Sequence, residues 1–210
     1  MNQPVSQQAD GLIRFRIDLS YDGTDYWGWA MQPGIPSVQG ELVTALTTVF
    51  GESKDAFGMR VAGRTDAGVH ATAQVAHIDL SPAQLKRLGR SVGMVGKLND
   101  LLPTDIRIHS VTEAPAGFDA RFSASYRRYR YRISDGLSVK NPLKARYTLW
   151  LNHELDLLAM KAASLELFGM HDFASFCRRK PNATTIREVR DIQIKRNPIE
   201  ENIVEVELLA

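Results

Sequence analysis

Leu12-Ile13-Arg14-Phe15-Arg16-Ile17-Asp18-Leu19 alternates residue by residue, with Ile13, Phe15, Ile17 and Leu19 on one side and Arg14, Arg16 and Asp18 on the other. Successive side chains of a strand point to opposite faces, so the pattern predicts a half-buried β-strand. After the loop 21–36, Ser37 is a candidate N-cap for a helix whose Val38, Leu42, Ala45, Leu46 and Val49 share one stripe. Strands are predicted around 57–62 and 72–79. Ser81-Pro82-Ala83-Gln84 reads as a capping box with proline at the first helical position, opening a helix towards Leu98, and 106–111 reads as a further strand.

That order, strand, helix, two strands, helix, strand, is the pattern of a ferredoxin-like α+β unit with an antiparallel sheet. A second unit follows the same plan. Strands are predicted at 125–133, 188–195 and 203–209, with a helix at 155–168, and the pattern stops before its last helix and strand. The expected organisation is a disordered tail at 1–10, a first ferredoxin-like β-α-β-β-α-β domain at 11–115 and a second, C-terminally incomplete one at 116–210. The boundary is placed where proline and glycine cluster near Pro115.

Composition sets bounds on function. The chain has 210 residues, 44% of them hydrophobic, and one cysteine, Cys177. A lone cysteine excludes an internal disulfide and a multi-cysteine metal site, and it suits a reducing, cytoplasmic setting. The five histidines include no pair at metal-ligand spacing, so no metal is expected. Neither a secretory leader nor an apolar run long enough for a membrane span is visible. No phosphate-cradling glycine motif is present, which leaves nucleotide cofactors unsupported.

The net charge of +2 is small, but its distribution is uneven. Arg121, Arg127, Arg128, Arg130 and Arg132 fall close together with no acid between Phe122 and Ile133. Arg178, Arg179 and Lys180 form a second cluster, while Glu200, Glu201, Glu205 and Glu207 concentrate elsewhere. At period two, Tyr129, Tyr131 and Ile133 share one face of their strand and the arginines at 128, 130 and 132 share the other. That suits either a core face backed by a solvated basic face or a surface that stacks bases and neutralises phosphates. Trp27 and Trp29 in the first loop admit the same two readings, base-stacking surface or core, with buried anchors the expectation.

Chemistry concentrates in Gly63-Arg64-Thr65-Asp66-Ala67-Gly68-Val69-His70, a polar loop between two predicted strands. Glycines at both ends let the backbone turn sharply and let a bulky partner approach Asp66. The loop is also compatible with a plain turn across 65–68 in which the aspartate bonds its own backbone. His70 could position Asp66, contact phosphate or make a structural hydrogen bond.

With its flanking motifs the loop resembles the tRNA pseudouridine synthase A family. The likeness extends through Tyr21-Asp22-Gly23-Thr24, Gly28-Trp29, Ser37-Val38-Gln39-Gly40, Gln74-Val75-Ala76-His77, Phe118-Asp119-Ala120-Arg121-Phe122-Ser123-Ala124 and His171-Asp172-Phe173. The resemblance implies isomerisation of uridine to pseudouridine in the anticodon stem-loop of tRNA, without a cofactor, by a homodimer with two such units flanking a central cleft. It assigns catalysis to Asp66, displacement of the target base to Arg64 and contact with the uracil to Tyr129. Arg121, Arg128, Arg130, Arg178, Arg179, Lys180 and His70 are then candidates for RNA binding.

A carboxylate is ionised at neutral pH without an activating base, so Asp66 is expected to act as an anion on the sugar. In two places the chain departs from the family pattern. Ala30-Met31 replaces a glutamine and a basic residue, and the family's usual later segment, with an arginine near the catalytic aspartate, is absent before Ala210. A non-catalytic tRNA-binding module is therefore the alternative expectation. A hydrolase of small glycosides would need a second acid near Asp66, and none lies between Asp66 and Asp79.

Overall fold

The computed structural model describes residues 11–51, 55–88, 93–136, 140–176, 184–200 and 202–210. The predicted tail at 1–10, Cys177 and the cluster Arg178, Arg179 and Lys180 lie outside the described residues. The chain divides into two compact units, Met1–Ala124 and Ser125–Ala210.

In the first unit the elements run β1 (Ile13–Tyr21), α1 (Val38–Phe50), β2 (Arg60–Val61), β3 (Ala71–Leu80), α2 (Pro82–Arg87), α3 (Met94–Leu101) and β4 (Ile106–Glu113). The strands form one antiparallel sheet in the order β2-β3-β1-β4. The alternation of β1 does what its sequence implies: Ile17, Leu19 and Tyr21 are buried. They join Val38, Leu42, Ala45, Leu46 and Phe50 of α1 in the core. Ser37 caps α1, its Oγ accepting from the Gly40 N–H at 3.2 Å. The box at 81–84 is complete, with Ser81 Oγ accepting from Gln84 N–H and Gln84 Oε1 accepting from Ser81 N–H.

Two expectations need correction here. Residues 56–58 form a 3₁₀ turn rather than strand, with Ala56 and Phe57 at φ 52° and 61°, because the chain bends to bury the Phe57 ring. The helix predicted to run from Ser81 towards Leu98 is two helices, α2 ending at Arg87 and α3 starting at Met94, with Gly93 at the N-cap of the second.

The segment after β4 belongs to the first unit, which ends at Ala124, nine residues past the boundary expected at Pro115. Arg14 is the cause. Its guanidinium makes two 2.7 Å bonds to the Asp79 carboxylate and donates to the Phe118 carbonyl at 2.9 Å. His77, wholly buried, accepts the Ala120 N–H at Nδ1, 2.9 Å away. Asp119 then accepts from the N–H groups of Arg121 and Phe122. Residues 118–123 are thereby pinned to the back of β1 and β3.

The second unit contains β5 (Arg128–Ser134), β6 (Leu149–Trp150), α4 (Leu157–Ser164), β7 (Gly169–Asp172), β8 (Ile186–Val189), β9 (Asp191–Arg196) and β10 (Ile203–Leu209). One sheet has the order β6-β5-β10-β9, and β7 and β8 form a separate pair. Its sheet is mixed rather than antiparallel throughout, because the long connection from Ser134 carries the chain back to lay β6 parallel to β5. The strand predicted at 188–195 is broken at Arg190 into β8 and β9, which pair in different sheets. Among the described residues no helix is long and apolar enough to cross a membrane.

Burial holds His77 in its neutral form and, with Arg14 nearby, pulls its pKa down from 6.5 to about 4. In the unfolded chain this imidazole takes a proton near 6.5. Its contribution to stability is therefore complete above that pH and is lost as pH falls towards 4, by about 3 kcal/mol. We expect denaturant midpoints of the parent to fall more steeply than those of His77→Gln between pH 7 and 4; parallel curves would show that His77 titrates as in water.

Candidate active site

Two loops build the site, and backbone hydrogen bonds join them. The Thr65 carbonyl accepts from Trp29 N–H at 3.0 Å, and the Tyr26 carbonyl accepts from Gly68 N–H at 3.1 Å. Side chains reinforce the join: Tyr21 Oη lies 2.8 Å from Thr65 Oγ1, and buried Gln74 donates to the Gly63 carbonyl at 2.9 Å. Asp66 is thus held by its neighbours on both sides.

Glycine is required where the loops touch. A Cβ on Gly23 would stand 2.0 Å from the Val69 carbonyl oxygen, and one on Gly28 would stand 2.6 Å from that of Thr65. Gly28 also has φ +100°. The turn itself spans Asp66 to Val69, closed by Val69 N–H donating to the Asp66 carbonyl at 3.2 Å. Gly68, at φ +75°, occupies the position where a type II turn demands positive φ. The turn is therefore shifted by one residue from the plain turn considered at 65–68.

Asp66 and Arg64 are both exposed. Among the described residues neither the carboxylate nor the guanidinium has a hydrogen-bond or ion-pair partner within the chain. The oxygens are free to meet a substrate. His70 accepts the Gly23 N–H at Nδ1 (3.2 Å), and the same nitrogen lies 3.0 Å from Asp22 Oδ1. Asp22 Oδ1 in turn accepts from the Thr24 N–H and hydroxyl. Among the described residues no group of three or more His, Cys, Asp or Glu side chains could hold a metal.

The remaining candidates divide between the units. Arg121 is exposed in the first, its guanidinium 5.5 Å from the centre of the Phe122 ring. Tyr129, Arg128 and Arg130 stand exposed on β5 of the second. The acids that lie elsewhere in sequence lie opposite these arginines in space. Arg130 bonds Glu207 at 2.9 Å, and Arg132 bonds Glu205 at 2.7 Å and Glu200 at 3.1 Å. Much of the basic stripe is therefore neutralised within the chain. Tyr129 and Tyr131 are 41% and 60% exposed, so the aromatic stripe is not a closed core face.

Sequence reasoning gave no physical role to Tyr21, Gly23, Gly28 or Gln74, which secure the loop. Gln74 carried a signal, a polar side chain on the inward face of a strand. Trp27 was expected to be buried and is not: it is 67% exposed, against 2% for Trp29.

No family model matches the chain. Curated relatives match closely. The tRNA pseudouridine synthase A of Leifsonia xyli subsp. xyli is 45% identical over 201 residues, 90% of this chain and 70% of its own length. That of Frankia casuarinae is 50% identical over 190 residues, covering 90% and 67%. That of Mycobacterium leprae is 45% identical over 205 residues, covering 93% and 70%. Of the full length of these three relatives the chain covers 67 to 70%. Identity of this order over nine-tenths of the chain, with the carboxylate loop inside the shared region, means that this chain belongs to the tRNA pseudouridine synthase A family.

Proposed function

We propose that the chain isomerises uridine to pseudouridine in the anticodon stem-loop of tRNA, with Asp66 as the reacting carboxylate. One observation carries the reading: an exposed aspartate without an internal partner, on a loop fixed by backbone bonds on both sides. A group that must meet an electrophilic sugar carbon gains from such fixing, because its orientation is settled before substrate arrives. Membership of a family whose relatives are named for this activity supports it further. The β2-β3-β1-β4 order of the first sheet likewise supports a ferredoxin-like reading of that unit.

The chemistry is balanced without a cofactor. The bond from C1′ to N1 of uracil breaks, and the carboxylate of Asp66 attacks C1′ or balances the cationic sugar. The uracil turns, C5 bonds to C1′ as any ester bond between Asp66 and C1′ breaks and releases the carboxylate, C5 gives up its proton and N1 takes one. The uridine leaves its stack first, at a cost of a few kcal/mol, least in a loop or at a stem end. Exposed Arg64, two residues from Asp66, is suited to fill the gap left behind. Tyr129, with its ring exposed, is assigned to the uracil.

Three outcomes are expected. Asp66→Asn lowers pseudouridine formation on tRNA transcript by about a thousandfold or more while leaving the fold intact; turnover near the parent's would remove the carboxylate from the chemistry. Gly28→Ala costs about 1–3 kcal/mol and depresses activity, because the added methyl meets the Thr65 carbonyl at a positive φ. Gly68→Ala, with open space around it, costs less in thermal melts. The logarithm of tRNA affinity falls steeply with that of salt. Arg128→Ala lowers this slope by about one, and Arg130→Ala by less, since Glu207 already balances Arg130.

A further inference from the structure

Trp27 has no role in the loop that carries it. Its neighbours do: the Tyr26 carbonyl binds Gly68 N–H, and Gly28 lies against the backbone of Thr65, Asp66 and Ala67. The rings nearby in sequence turn inward, Tyr26 to donate to Asp105 at 2.8 Å and Trp29 to pack beside Tyr21. Trp27 alone of these rings is exposed, and among the described residues it has no ring or cation contact. Its backbone is nonetheless fixed, with the N–H bound to the Pro36 carbonyl at 3.0 Å.

We propose that Trp27 is a stacking platform for a nucleobase adjoining the nucleotide held at Asp66. The inference rests on the pseudouridine synthase reading and adds a substrate contact to it. An indole fixed at the backbone loses little freedom on stacking, and either face of the ring accepts any base. Its position between two residues that touch the backbone around Asp66 keeps the residue beside the loop that carries the carboxylate. Met31 and Val69, also exposed on these two loops, offer apolar surface but no ring. Stacking carries no charge, which separates this contact from the phosphate contacts of the arginines.

An RNA hairpin with the sequence of a tRNA anticodon arm tests the assignment on the full chain. Binding is expected to quench tryptophan fluorescence in the parent and far less in Trp27→Phe, since Trp29 is buried and Trp150 is half-buried in the second unit with Lys140 over its ring. Trp27→Ala weakens affinity about tenfold, Trp27→Tyr restores most of it, and the salt slope is the same in all three. Melting temperatures stay together because the side chain is exposed. Affinity of Trp27→Ala within about twofold of the parent, or undiminished quenching in Trp27→Phe, overturns the proposal. Asp66-dependent pseudouridine formation is measured separately on the parent. Product without a Trp27 effect defeats the stacking contact alone, and a Trp27 effect without product defeats the isomerase reading while upholding the contact.

Discussion

Two backbone hydrogen bonds, Trp29 N–H to Thr65 and Gly68 N–H to Tyr26, convert a pair of surface loops into one piece. A loop of polar residues would ordinarily sample many conformations, and a carboxylate on it would meet its target rarely. Here the freedom is removed before substrate binds, at the entropic cost of folding rather than of binding. Gly23 and Gly28 make the approach possible, because any side chain at either position would separate the loops. Tyr21 and Gln74 extend the constraint into the sheet, so the position of Asp66 is referred back to β1 and β3.

Deeper in the first unit, a second device holds the chain as it leaves the sheet. Arg14 and Asp79 are cross-strand partners on β1 and β3, and their two-bond pairing is largely shielded from water. A buried ion pair of this kind is costly to assemble, and it persists where every donor and acceptor is used. Arg14 uses its remaining reach on the Phe118 carbonyl. Together with the neutral His77, it ties residues 118–123 to the sheet and leaves Arg121 at the surface.

Local physics made much of this legible in the sequence. The alternation of β1, the Ser37 cap and the box at Ser81 each involve residues within a few positions of one another, and each appears in the structure. The Asp66 loop and its flanking motifs indicated the family. What could not be read depends on distant partners. The two-residue β6 carries no periodicity, and β8 and β9 are separated by a change of sheet that only the fold defines. Trp27 and Trp29 are two residues apart with opposite fates, because a loop has no repeat to tell inward from outward. The glutamates that balance Arg130 and Arg132 lie 77 and 73 residues away.

That pairing gives β5 a direction. Along its register with β10, Arg132 faces Glu205 and Arg130 faces Glu207, but Arg128 faces Leu209. Compensation across this ladder therefore stops at one end, where Arg128 has no glutamate opposite it. A polyanion sliding across this surface would find no uniform attraction. Under the proposed RNA-binding role of these arginines, it would be drawn to the end where the chain enters the strand, and the ladder would serve as a compass for orientation rather than as glue.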